Sequence, residues 1–151
     1  MRADAVRTAS IRELQQLFGT LGVPPTPPSG LYRAEFIGPT WLRLSGRPGV
    51  SLAGLPRWLG KRFLGPDSAT NVLAGKDGNT EKLHMHCATV SSSIDGRPSL
   101  VLTYGPRAPR PWRWVRDELR YIDDRMLLGM TVIEQPLLRR LPLPFLLVRD
   151  S

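Results

Sequence analysis

The sequence predicts a mostly β protein that closes into an antiparallel barrel, with an N-terminal helix and a short irregular or helical segment after the first strand. Short runs of alternating apolar and polar residues follow Gly30, and 14 glycines and 15 prolines punctuate a chain of 151 residues. Roughly seven to nine such runs are spaced as in an antiparallel meander. Closure is expected because an open sheet would leave two unpaired edges.

Residues 1–29 are predicted to form a helix and a proline-rich linker, attached to a barrel domain over residues 30–151. Ser10 and Glu13 have the spacing of a helix-capping box. The residues that then share one helical face are Ile11, Leu14, Leu17, Phe18 and Leu21. We expect this apolar face to dock on the barrel or to cover one of its ends.

The first strand is predicted over residues 31–37, where Tyr32 and Phe36 alternate with Arg33 and Glu35. Residues 38–60 contain too much glycine and proline for a long strand and predict one or two short helical turns. Such a segment would either cover one end of the core or act as a lid over a ligand. The side chains expected to line such a lid are Trp41, Leu52, Leu55 and Trp58.

Turn signals separate the remaining strands. Residues 76–79 predict a tight turn, and Asp95-Gly96 predicts a two-residue hairpin loop between strands over residues 81–94 and 97–104. The other predicted strands are residues 60–64, 112–122, 126–133 and 145–149.

Charge and cysteine content narrow the class of protein. The net charge is +8, which favours anionic surfaces, but the basic residues form no long run, and we expect no nucleic-acid partner. Cys87 is the only cysteine, so a reducing compartment is expected. No signal-peptide pattern and no run of about 20 apolar residues is seen. A cytoplasmic location is therefore predicted.

Three short motifs occur in order: Trp58-Leu59-Gly60-Lys61-Arg62-Phe63, then Leu127-Leu128-Gly129-Met130, then Phe145-Leu146-Leu147-Val148-Arg149-Asp150. Together they resemble the lipocalin-like bacterial domains named after a G-x-W-x-G motif, a group mostly without assigned function. Tyr32 stands where that motif has Trp, and Ala34 where it has the second Gly, so the chain is interpreted as a divergent relative.

The resemblance implies a calycin-type, fatty-acid-binding-protein-like barrel that holds a small hydrophobic molecule. It also implies that Arg149 packs across Tyr32 and closes the barrel floor. A guanidinium over an aromatic ring contributes about 0.5–2 kcal/mol.

A barrel of about eight strands encloses enough space for one small ligand. The predicted ligand-binding residues combine inward-facing strand positions with aromatic side chains of the segment after the first strand. They are Tyr32, Phe36, Trp41, Trp58, Met85, Leu102, Tyr104, Asp117, Tyr121, Met130 and Arg149. No catalytic residue and no metal ligand is predicted.

His84 and His86 are the only histidines. On a strand they point to one side, while Met85 and Cys87 point to the other. Two imidazoles fall short of the three protein ligands of a catalytic zinc site, whereas one imidazole could hold haem. We favour outward-facing imidazoles and no cofactor, with haem as the alternative.

The segment 112–122 leaves two registers open. In the first, the interior residues are Val115, Asp117, Leu119 and Tyr121. In the second, Arg116 and Arg120 face inward and can hold a ligand carboxylate through paired hydrogen bonds.

The expected function is binding or carriage of a lipid-like hydrophobic small molecule. No esterase, zinc-protease, phosphate-loop or dinucleotide motif occurs. The alternative is a barrel enzyme, an isomerase, cyclase or hydrolase, that pairs Asp117 with His84 or His86. Peripheral membrane contact through Trp112 and Trp114 is a further expectation.

Overall fold

The structure is a computed structural model that describes residues 3–150. Its strands are β1 (Gly30–Phe36), β2 (Trp58–Gly65), β3 (Ser68–Leu73), β4 (Thr80–Ser91), β5 (Pro98–Thr103), β6 (Val115–Asp123), β7 (Met126–Ile133) and β8 (Leu143–Arg149). Each strand pairs antiparallel with the next, and β8 returns to pair with β1. The predicted closed antiparallel barrel is confirmed.

Strand β1 closes the barrel, and β2 approaches it closely at Gly60. β1 lies between β2 and β8, with Tyr32 opposite Lys61 on one side and opposite Arg149 on the other. Gly60 of β2 lies against the backbone of β1, where a Cβ atom would overlap the Tyr32 carbonyl oxygen. A larger residue at position 60 would therefore force β1 and β2 apart.

Alternate strand residues fill the barrel interior. This interior core comprises Tyr32, Ala34, Phe63, Ala69, Met85, Cys87, Leu100, Leu102, Leu119, Leu127, Phe145 and Leu147. The Tyr32 and Phe63 rings meet edge to face, with their centroids 5.4 Å apart. Phe145 in turn covers Gly129, where any Cβ atom would overlap the Phe145 ring.

Several local predictions need correction. The loop between β4 and β5 is longer than a two-residue turn, because Ser92 donates its N–H to the Arg97 carbonyl and leaves residues 93–96 between them. β3 was not predicted as a strand. Residues 112–114 form a short 3-10 helix, so the following strand begins only at Val115.

The segment after β1 forms one helix, α3 (Thr40–Leu52), of 13 residues instead of one or two short turns. Gly46 allows α3 to lie on Phe36, since a Cβ atom there would overlap the Phe36 ring. Leu52 is 91% exposed. It therefore does not contribute to the inner surface of the segment, contrary to the expectation.

Two further helices, α1 (Ala3–Thr8) and α2 (Ile11–Thr20), pack on the outer wall of the barrel. α1 was not predicted, whereas α2 begins at the predicted capping box of Ser10 and Glu13. Their contact with the wall comprises Val6, Ala9, Leu14, Phe18, Ile37, Leu128, Met130 and Leu146. Residues 1, 2 and 151 of the two predicted segments lie outside the described residues. No helix within residues 3–150 is long and apolar enough to cross a membrane.

Arg120 fastens α2 to the wall. Its side chain is fully buried, and its guanidinium carbon lies 4.2 Å from the centroid of the Phe18 ring. It donates to the Phe18 carbonyl at 2.8 Å and to the two Asp95 carboxylate oxygens at 2.6 and 2.7 Å. These bonds from Arg120 lower the pKa of Asp95 to about 2.

We predict that acid weakens the docking of α2. Because the folded-state pKa of Asp95, about 2, lies below the ordinary value of about 3.9, its contribution to stability is complete above that value. The contribution is lost as the pH falls from about 4 toward 2. Hydrogen-exchange protection factors of the α2 amides should fall over this range relative to those of β3. Asp95→Asn should lower α2 protection at neutral pH and flatten the acid response; an unchanged acid response in that variant would contradict the assignment.

Candidate ligand-binding cavity

An apolar cavity of about 380 Å³ lies between α3 and the end of the barrel to which β1 leads. Its volume is within the range of about 300–1,000 Å³ that is usual for small-molecule sites. Apolar side chains that line it include Phe36, Trp41, Leu42, Val50, Leu55 and Trp58. The chain therefore covers this end of the barrel with a helix without filling the space beneath it.

Aromatic side chains at the end of the barrel pack on one another around the cavity. Phe36 packs on Trp58 with ring centroids 5.6 Å apart, and Tyr104 packs on Trp112 at 5.4 Å. The Trp112 indole N–H donates to the Ala53 carbonyl at 2.8 Å, which ties the chain just after α3 to the loop before β6. Trp112 is buried. It is therefore not available for the membrane contact expected from the sequence.

Six hydrogen-bonded side chains form a polar cluster in the barrel at the cavity: Trp58, Lys61, Asn71, Tyr104, Asp117 and Thr131. The Lys61 ammonium lies 3.1 Å from the Asp117 Oδ2 atom, and both side chains are buried. Lys61 also donates to Asn71 Oδ1 at 3.0 Å, and Met85 Sδ lies 3.4 Å from its Nζ atom.

The remaining bonds orient the members of the polar cluster. Asn71 Oδ1 also accepts from the Trp58 indole N–H at 3.1 Å, so its Nδ2 atom is turned toward the Tyr104 hydroxyl, 2.9 Å away. The Thr131 hydroxyl donates to Asp117 Oδ1 at 2.8 Å. Both carboxylate oxygens of Asp117 thus have partners within the protein.

The polar cluster contains one cation and one anion. Burial by itself would lower the pKa of Lys61, but the neighbouring Tyr104 and Asp117 outweigh it, and the pKa is raised. The pKa of the Tyr104 hydroxyl is also raised, in this case by burial. At neutral pH the cavity therefore meets a matched ion pair and a neutral phenol.

Five of the eleven predicted ligand-binding residues line the cavity: Phe36, Trp41, Trp58, Tyr104 and Asp117. Three others, Tyr32, Met85 and Leu102, lie in the interior core. Helix α3 and the barrel end thus bring three aromatic residues, Phe36, Trp41 and Trp58, together with two residues that carry polar groups, Tyr104 and Asp117.

The last three predicted residues lie elsewhere. Met130 packs on the outer face of β7 beneath α2, where the helix buries a face that would otherwise be exposed. The Tyr121 hydroxyl bonds Asp124 at the opposite end of the barrel. Arg149 is opposite Tyr32 in the strand register, but its side chain is exposed.

The structure decides between the two registers of β6. Asp117 faces the interior, whereas Arg116 contacts Glu118 and Arg120 contacts Asp95 on the outside. His84 and His86 are exposed, with Met85 and Cys87 buried on the other face of β4. Neither imidazole faces Asp117, so the proposed acid–base pair is not formed. Within residues 3–150, no group of three or more His, Cys, Asp or Glu side chains is arranged to hold a metal ion.

We predict that the Cys87 thiol is unreactive in the folded protein. The side chain is buried, and burial raises its pKa to about 11, so the reactive thiolate is scarce at neutral pH. A disulfide reagent such as Ellman's reagent should label the native protein slowly and the denatured protein at once. Rapid labelling of the native protein would show that the interior core opens readily.

Sequence reasoning missed Lys61, Asn71 and Thr131. Lys61 did carry a signal, because it lies two residues before Phe63 on the same face of β2. Asn71 and Thr131 carried none, since both residue types are mostly exposed in folded proteins.

Comparisons with known proteins support the fold. No family model matches the chain. No curated protein matches it either. Among solved structures it is similar to the crystal structure of a protein from Thermomonospora curvata, with a TM-score of 0.68 and 22% sequence identity over 95% of this chain and 90% of that chain. At this identity the similarity supports the barrel fold alone.

Proposed function

We propose that the protein binds or carries a hydrophobic, lipid-like small molecule in the cavity beneath α3. The observation that carries this proposal is the cavity itself: about 380 Å³, lined by aromatic and aliphatic side chains, with a small polar cluster in contact with it. Sites of this composition gain affinity from apolar burial and orientation from a few polar groups.

The polar cluster favours binding over catalysis. Lys61 and both oxygens of Asp117 are engaged by partners within the protein. A general acid or base must reach the reacting atom with a proton to give or accept. Here the Lys61–Asp117 ion pair is bonded within the protein, and the two histidines face outward.

Native mass spectrometry of gently purified protein provides the first test. We expect a bound apolar molecule that is released on denaturation. Nile red, a neutral dye that fluoresces in apolar sites, should also bind to ligand-stripped protein and be displaced by a long-chain lipid. The proposal would be contradicted if purified protein retained no bound molecule and ligand-stripped protein did not bind Nile red.

A matched pair of variants places the site. Val50 lines the cavity, whereas Leu44 of the same helix does not and is 73% exposed. Val50→Trp should fill part of the cavity and weaken Nile red binding about tenfold, a loss typical of a blocked apolar site. Leu44→Trp should leave binding unchanged. Equal effects of the two substitutions would place the dye elsewhere.

A second candidate role is peripheral contact with an anionic membrane at the cavity end. Alternate connections of the barrel lie at this end: residues 37–57, 74–79, 104–114 and 134–142. They contain nine basic and two acidic residues, a net charge of +7 out of +8 for the chain. Exposed leucines in the same connections are Leu44, Leu52, Leu137, Leu138 and Leu141. Basic and aliphatic side chains together suit an anionic bilayer surface.

Vesicle co-sedimentation tests this second role. The protein should pellet with phosphatidylglycerol vesicles, and added salt should release it. Leu52→Ser should weaken the association, whereas Leu64→Ser, on β2 near the opposite end, should not. Equal binding to phosphatidylcholine vesicles, or no binding to either, would argue against it.

A further inference from the structure

The hydrogen bonds of Tyr104 leave its own proton without an acceptor. Its hydroxyl oxygen accepts from Asn71 Nδ2 at 2.9 Å and from Lys61 Nζ at 3.3 Å. The Asn71 amide cannot be reversed, because its oxygen already accepts from Trp58 and Lys61. Two donors thus occupy both lone pairs of the Tyr104 oxygen. Within residues 3–150, no protein atom accepts the Tyr104 O–H.

Tyr104 lines the cavity, so the free O–H is available to whatever fills that space. A donor without a partner in an apolar site costs free energy, and an acceptor on the ligand removes that cost. The other polar groups of the cluster that line the cavity are bonded within the protein; they belong to Trp58, Asn71, Asp117 and Thr131. Tyr104 is therefore the group that selects the polar end of a ligand.

The charge of the polar cluster decides which acceptor fits. Among the described lining residues, Asp117 alone carries a formal charge, and its partner Lys61 lies directly behind it. A ligand carboxylate beside Asp117 would meet a like charge without a free cation to balance it. A ligand ammonium would have to compete with Lys61 for the Asp117 carboxylate, whose two oxygens already have partners within the protein. A neutral oxygen avoids both penalties.

We infer that the cavity selects neutral apolar molecules with a single hydrogen-bond-accepting oxygen, such as a ketone, aldehyde or ester carbonyl, which accepts the Tyr104 O–H. This inference rests on the proposed binding function and narrows it, because it disfavours free fatty-acid anions and plain hydrocarbons. The acceptor would lie against the polar cluster, and the hydrocarbon part would lie beneath α3 among Phe36, Trp58 and Trp112.

Competition against Nile red tests the inference with three probes: a medium-chain methyl ketone, the n-alkane of the same length and the fatty acid of the same length. At neutral pH the ketone should bind about tenfold more tightly than either of the others, as expected for one hydrogen bond in a dry site. Tyr104→Phe should remove the preference of the ketone over the alkane. Tyr32→Phe, at a buried tyrosine of the interior core that does not line the cavity, should preserve it.

A readout on the wild-type protein makes the test independent of the variants. The infrared carbonyl band of the bound ketone should shift to lower wavenumber than in alkane solvent, because a hydrogen bond weakens the C=O bond. Three results would each overturn the inference while leaving hydrophobic binding intact. They are tightest binding by the fatty-acid anion, a carbonyl band that does not shift, and a preference for the ketone in Tyr104→Phe equal to that of the wild-type protein. Absence of binding by Nile red and all three probes would overturn the proposed function as well.

Discussion

Replacing Lys61 with methionine is expected to lower the free energy of unfolding by about 3–5 kcal/mol, because the change leaves Asp117 buried without its cation. Lys61 and Asp117 lie 3.1 Å apart, with side chains only 2% and 5% exposed. Urea titration monitored by tryptophan fluorescence measures the loss. Lys76→Met, at an exposed position in the connection between β3 and β4, is the matched control and should change stability by no more than about 0.5 kcal/mol.

A double substitution distinguishes a lost ion pair from a simple packing defect. Adding Asp117→Leu to Lys61→Met should recover most of the loss, since an apolar pair avoids both desolvation penalties. A double variant that is no more stable than Lys61→Met would contradict this account of the pair.

The second large effect is expected at Arg120. Arg120→Met should lower the free energy of unfolding by at least about 3 kcal/mol, since hydrogen bonds to charged groups contribute about 1.5–3 kcal/mol each and several are lost together. The Phe18, Arg97 and Pro98 carbonyls all accept from this guanidinium. The α2 helix should become susceptible to proteolysis before the barrel unfolds.

Arg12→Met is the control for Arg120→Met. Arg12 lies on α2 but is exposed, so its replacement should leave both stability and proteolysis nearly unchanged. The contrary result is that Arg120→Met lowers global stability without making α2 more sensitive to proteolysis than the strands. In that case Arg120 would stabilise the barrel wall and not the docking of the helix.

The alternation of β1 and the turn signals were enough to predict the closed barrel and most of its strands. They were not enough to predict which residues of β6 and β7 face inward, because the burial patterns of these two strands are nearly continuous buried runs. The outer face of these strands is covered by α2, so period-two alternation loses its contrast between inside and outside. For this reason Met130 was expected in the ligand site and lies instead beneath the helix.

Part of the candidate site could be predicted from the sequence. Its aromatic residues could be predicted because large apolar side chains cluster in the segment around Trp41 and Trp58. The hydrogen-bonded arrangement of the polar cluster and three of its members, Lys61, Asn71 and Thr131, could not, because they depend on which strand positions meet across the barrel. Lys61 and Asp117 are far apart in the sequence, and only the closure of β1 through β8 brings them within 3.1 Å.

Diffraction from crystals pressurised with xenon gives the most direct test of the space beneath α3. Dry apolar cavities bind xenon, so the account predicts xenon density bounded by Phe36, Trp58 and Trp112 within a volume of about 380 Å³. Packed side chains in that volume, with α3 lying directly on the barrel end and no xenon beneath it, would contradict the proposal that this protein holds a small molecule there.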